Sequence, residues 1–185
     1  MRRIYNSTER IGRFRLSFAQ KRGFLMIGSN ECLQIVVDGD ACPVKREIIG
    51  TARKFDVPVL LVASYDHRLE PEEGVRVVQV DRSSESVDLY IVNHIARGDI
   101  VITQDFGLAT MALAKGAVTL SNRGQRYDDD NIGFLMERRH QQAKLRRGGG
   151  RSKGPRPMTD EDRTRFQQKL TKVLQDSRKT EDGIE

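Results

Sequence analysis

The chain predicts an α/β fold in three layers: a mostly parallel sheet flanked by helices, with a C-terminal helix set after a basic linker. Three observations lead to it. Short β-branched runs alternate with segments whose apolar residues recur at helical spacing. One run, residues 57–63, is almost wholly apolar, as in strands buried on both faces of a parallel sheet. Aspartates also stand directly after strands, where ligands bind in open parallel sheets.

Taken in order, residues 33–37 make the first strand. Pro43 then falls in the first turn of a helix, where its missing N–H costs least. Val44, Ile48, Ala52 and Phe55 give that helix one buried face. Residues 57–63 form the second strand, 64–74 a polar loop containing Pro71 and Gly74, and 75–80 the third strand. Ser83, Ser84 and Ser86 offer caps for a helix carrying Val87, Ile91 and Ile95 and closed by Gly98. Residues 100–103 are the fourth strand. A short apolar helix from about 106 ends at Lys115-Gly116, before a fifth strand at 117–120. A helix from about 130 to 147 carries Ile132, Leu135, Met136 and Ala143.

Around this domain of residues 31–147 the chain changes character. Residues 1–30 form a basic extension, expected to be disordered or to reflect an upstream start codon, with Met26 as the true beginning. Residues 148–158 are a flexible Gly/Arg linker. Residues 159–176 form a final helix packing on the domain, with Thr159 as cap and Asp162 three residues on. Phe166, Leu170, Val173 and Leu174 mark its apolar side, and residues 177–185 are expected to be a disordered tail.

Charge is unevenly spread. Residues 1–30 carry +6, residues 31–137 carry −7 and residues 138–156 hold eight basic and no acidic residues. An acidic centre flanked by basic segments suits an enzyme that gathers cations at its core and polyanions at its margins. No run of 18 apolar residues occurs, so no membrane partner is expected. Cys32 and Cys42 give neither a disulfide framework nor zinc spacing, which suits a cytoplasmic setting. No obligate protein partner is evident.

Four aspartates are the candidate chemistry: Asp38, Asp40, Asp88 and Asp105. Asp38 and Asp40 close the first strand, and Gly39 between them permits a turn aiming both at one point. Asp105 follows the fourth strand, and Asp88 opens a helix. Each also suits a helix cap or a first turn. Carboxylates gathered at one sheet edge repel unless a hard cation, Mg²⁺ or Mn²⁺, lies between them. Asp99 precedes its strand, so it belongs at the opposite edge with a structural role, and Asp128-Asp-Asp130 reads as a helix cap. Asn122, Arg123 and Arg126, after the fifth strand, are candidate phosphate contacts. Cys42 reads as a partly buried thiol.

The motifs 37–43 (Val-Asp-Gly-Asp-Ala-Cys-Pro), Val87-Asp88, 98–105 (Gly-Asp-Ile-Val-Ile-Thr-Gln-Asp), Leu108-Ala109, 120–127 (Leu-Ser-Asn-Arg-Gly-Gln-Arg-Tyr) and Gly154-Pro155 resemble, in this order, the YaiI/YqxD family, which is related to PIN-like nucleases. The resemblance covers about residues 33–175. It implies a PIN-like domain binding Mg²⁺ or Mn²⁺ and cutting RNA, with Asp38 as first-strand acid, Asp88 as helix acid, Asp105 as the acid after the central strand and Asp40 as a further ligand. Two other readings stay open. A haloacid-dehalogenase-like phosphatase would use Asp38 as nucleophile and Asp40 as acid/base, although no later Lys and Asp-Asp arrangement is evident. A PIN-like module could instead bind RNA or protein without catalysis.

Overall fold

A computed structural model describes residues 33–40, 42–65, 72–81, 84–147 and 156–182. The basic extension, Cys32, Pro71, Ser83 and most of the linker lie outside the described residues. Six strands form one sheet: β1 (Ile35–Asp38), β2 (Val59–Ser64), β3 (Val75–Val80), β4 (Ile100–Ile102), β5 (Val118–Leu120) and β6 (Arg126–Tyr127). Among the described residues five helices accompany them: α1 (Lys45–Phe55), α2 (Ser84–His94), α3 (Phe106–Ala114), α4 (Asp129–Arg147) and α5 (Asp160–Asp182).

The strand order is β3-β2-β1-β4-β5-β6, parallel throughout except for the antiparallel β5–β6 pair. From β1 the chain builds outward to β3 on one side, then returns to place β4, β5 and β6 on the other. Strand order therefore reverses between β1 and β4, and the ligand crevice of such sheets lies at the carboxyl ends of those two strands.

Side chains alternate across β1, and this sorts the layers. Ile35 and Val37 join Ile48, Ala52, Phe166, Leu170 and Leu174 in the core beneath α1 and α5. Val36 joins Val87, Ile91, Leu108 and Ala112 in the core beneath α2 and α3. Ile35, Val36 and Val37 are all fully buried; each such side chain contributes about 1.5–3 kcal/mol by leaving water. Gly124, at φ +73°, lets the β5–β6 turn meet α5. A Cβ there would stand 3.2 Å from the Phe166 Cα, on backbone that L side chains rarely adopt.

Three elements differ from expectation. β6 has two residues, too few for an alternating pattern to register, and caps the sheet with an antiparallel edge. α5 continues to Asp182, so residues 177–182 are helical where a tail was expected. Among the described side chains of α4 only Ile132 is buried, while Phe134, Met136 and Leu145 are exposed. Among the described residues, little covers the apolar side chains of α4 beyond its first turns.

Candidate active site at the carboxyl edge of the sheet

The switch point holds Asp38 and Asp105 together. Asp38 is the last residue of β1, and the hydrophobic run before it fixes which way its side chain leaves the sheet. Thr103, one residue beyond β4 and buried, donates its hydroxyl to Asp38 Oδ2 at 3.0 Å. Thr103 Oγ1 in turn accepts the Asp105 N–H at 2.9 Å. One hydroxyl thus ties the β1 acid to the β4–α3 turn. Thr103 is the positioning residue that pattern reading passed over, and its only sequence signal is a hydroxyl lying between a strand end and an acid.

Asp105 is both cap and candidate ligand. Its Oδ1 accepts the N–H groups of Gly107 (2.6 Å) and Leu108 (3.2 Å) at the start of α3. Its Oδ2 faces Arg139 Nη1 of α4 at 3.9 Å. A Cβ added at Gly107 would stand 3.0 Å from Asp105 Oδ1, so a larger residue would press on the cap.

Asp88 completes the group from α2. Burial lifts its pKa to about 6, and the charges of Asp105 and then Asp38 add to the rise. Asp38 is likewise raised, first by burial; the bonds from Thr103 and from the backbone at Asp40 oppose this, and the charges of Asp40 and Asp105 reinforce it. The charge of Asp105 thus acts on both Asp38 and Asp88, and that of Asp38 on Asp88.

The test of a metal here has two sides. Among the described residues, no three His, Cys, Asp or Glu side chains are disposed to hold a metal ion as they stand. The acids are neighbours in charge without forming a closed ligand cage. Against that, the charges that raise the pKa of Asp38 and Asp88 are those of neighbouring carboxylates, Asp40 and Asp105 at Asp38 and Asp105 and Asp38 at Asp88. Oxygen donors carrying negative charge fit a hard divalent cation in kind and in charge.

Other candidates have different surroundings. Asp40 does not simply share Asp38's aim: its Oδ1 accepts the Ser64 N–H at 2.8 Å, while Gly39 donates to Val62 O at 2.7 Å and prolongs the β1–β2 pairing. Arg123, expected to contact phosphate, is turned to the C-terminal helix. Its guanidinium meets Asp162 Oδ2 at 2.5 Å and Arg156 O at 2.6 Å. That makes it a clamp, because its donors are taken by a buried carboxylate and a carbonyl. Asn122 is buried rather than presented to solvent, and Arg126 is exposed on β6. Asp99 lies at the far edge and accepts from Gln34 N, Gln34 Nε2 and Ala96 N. Asp128 caps α4 through the Asn131 N–H at 2.9 Å. Cys42 is buried, and burial pushes its thiol up to about 11, far from thiolate chemistry.

Fold and edge together define a Rossmann-like α/β domain with an acidic crevice at its switch point. The chain belongs to the YaiI/YqxD family of uncharacterised proteins, whose family model matches residues 36–176. A UPF0178 protein of Halalkalibacterium halodurans is 44% identical over 146 residues, covering 79% of this chain and 93% of that one. A UPF0178 protein of Listeria monocytogenes is 44% identical over 146 residues, covering 78% and 98%. A third, from Bacillus velezensis, is 46% identical over 141 residues, covering 76% and 84%. No solved structure matches the chain. Among the described residues, no helix is long and apolar enough to cross a membrane.

Proposed function

We propose that the protein is a divalent-metal-dependent nuclease that hydrolyses RNA phosphodiesters, with Asp38, Asp88 and Asp105 as its metal ligands and Asp40 in support. The observation that carries this reading is three acids on three elements, gathered at the strand-order switch, where the charge of Asp105 raises the pKa of both Asp38 and Asp88 and the charge of Asp38 adds to the rise at Asp88. A bound Mg²⁺ or Mn²⁺ would neutralise charge on the phosphodiester and acidify the attacking water. Thr103 holds Asp38 and Asp105 in register. Asp105 keeps Oδ1 on the α3 amides and presents Oδ2 outward. Asp88, whose pKa is near 6, would hold the cation as a carboxylate, the form that predominates at neutral pH.

The absence of a closed ligand group among the described residues favours a second reading, a non-catalytic RNA-binding module. The phosphatase reading is weaker, because Asp40 Oδ1 is engaged by the Ser64 N–H instead of standing ready as acid/base. Incubation of single-stranded RNA with wild type, Asp38→Asn, Asp105→Asn and Asp99→Asn, with and without Mn²⁺, separates the readings. The nuclease predicts Mn²⁺-dependent cleavage by wild type and Asp99→Asn, and a loss of at least roughly 100-fold in the other two. Equal rates in all four proteins would reject it.

A further inference from the structure

Beside Asp105 lies a shallow, open groove of ≈ 330 Å³, lined by Phe106, Gly107, Met136, Arg139, His140 and Ala143. It lies between the start of α3 and the middle of α4, next to the candidate metal ligand. Arg139 has the central place in it. Its guanidinium lies 5.4 Å from the centre of the Phe106 ring, and its Nη1 is 3.9 Å from Asp105 Oδ2. At 3.9 Å the pair is longer than a hydrogen bond, and both side chains are about half exposed, so their attraction is weak. Phe106 is held from below by Tyr127, edge to face, at 5.6 Å. A planar cation held over an aromatic ring, with exposed Met136 alongside, combines a phosphate donor with an apolar floor.

We propose that this groove is the subsite for the nucleotide flanking the scissile phosphodiester, with Arg139 binding its phosphate and Phe106, Met136 and Ala143 receiving its base. The inference deepens the nuclease reading and rests on it for the word "scissile". The charge of α4 complements such an occupant, since Arg138, Lys144 and Arg147 are also exposed on it. Arg139 exchanges a loose contact with Asp105 for a forked contact with phosphate. The phosphodiester is thereby set against the acids. The apolar floor adds stacking that tolerates any base, so the subsite prefers RNA over a bare polyanion without reading sequence.

The test measures binding apart from cleavage. Fluorescence anisotropy with a labelled single-stranded RNA decamer in EDTA compares wild type, Arg139→Gln and Lys54→Gln, the last removing the same charge from an exposed position on α1. Inorganic polyphosphate serves as competitor. We expect Arg139→Gln to weaken RNA binding roughly fivefold to tenfold and to lower the salt slope by about one, while Lys54→Gln changes affinity less than about twofold. We expect polyphosphate of matched charge to compete less well than unlabelled RNA. In Mn²⁺, Arg139→Gln should raise KM more than it lowers kcat. Equal weakening by both substitutions, no weakening by either, or no RNA binding by wild type overturns the subsite. Competition by polyphosphate as strong as by RNA overturns its base-binding half. Arg139-dependent binding with no Mn²⁺ cleavage by wild type would retain the subsite for an RNA-binding module and discard the nuclease, so the two failures differ.

Discussion

At Asp88 the folded protein holds a carboxyl near pKa 6 against an ordinary 3.8, because burial first and the Asp105 and Asp38 charges next disfavour its ionisation. Between these two values the folded chain keeps a proton that the unfolded chain has lost. The free energy of unfolding therefore falls as pH rises through that window and stays lower above it. Asp88→Asn abolishes this penalty. After allowance for solvent screening at a half-exposed position, we expect the variant to be more stable than wild type by on the order of 1 kcal/mol at pH 7.5 in EDTA. The gap should close near pH 4, and thermal melts at the two pH values check it. A variant less stable at pH 7.5 would mean that Asp88 has a stabilising partner. The places of Asp38 and Asp105 were legible because strand ends are local features of sequence. Asp40's engagement with Ser64 was not, since it depends on the pairing of β1 with β2 across 24 residues. Thr103 escaped notice for the same reason: its bond to Asp38 spans 65 residues.

The C-terminal helix shows what an element can and cannot announce. Its start was legible: Thr159 and Asp162 exchange bonds, with Asp162 N–H to Thr159 Oγ1 and Thr159 N–H to Asp162 Oδ2, both at 3.2 Å. That box is written in four consecutive residues. Burial alone would raise the pKa of Asp162, but the Thr159 N–H, the Arg123 guanidinium and the Arg156 charge outweigh it and hold the carboxyl at about 2. Its stabilising contribution is therefore complete above the ordinary value of 3.8 and is lost as pH falls toward 2. The partner Arg123, 39 residues away, was read as a phosphate contact because nothing local ties it to α5. We expect Arg123→Ala to lower the melting temperature by several degrees at neutral pH, because it takes from a buried carboxylate one of its guanidinium partners, with a smaller effect near pH 2. Leu170→Ala, at a fully buried position, should cost about 2–5 kcal/mol at either pH. Denaturation of both variants at pH 7 and pH 2.5 checks the contrast; an Arg123→Ala cost that ignores pH would remove the ion pair from the account.

At the scale of the whole molecule, an acidic crevice lies at the switch point of a parallel sheet, beneath a basic helix. The layers were legible from alternation: Ile35 and Val37 against Val36 sort one strand between two cores. The strand order was not, because no local pattern states that β1 pairs with both β2 and β4. That order decides the site, since it alone brings the ends of β1 and β4 together. The basic stretch after residue 137 was legible as charge, but its use was not, because the position of Arg139 over Phe106 depends on how α4 packs on α3. The central claim is that the carboxylates gathered at this crevice hold a divalent cation. Electron paramagnetic resonance of free Mn²⁺, titrated against the full-length protein, tests it most directly. The account predicts that wild type removes Mn²⁺ from the free signal at one or two per chain, that Asp38→Asn and Asp105→Asn lose this uptake, and that Asp99→Asn keeps it. Uptake that is absent from wild type, or unchanged in Asp38→Asn, would contradict the claim.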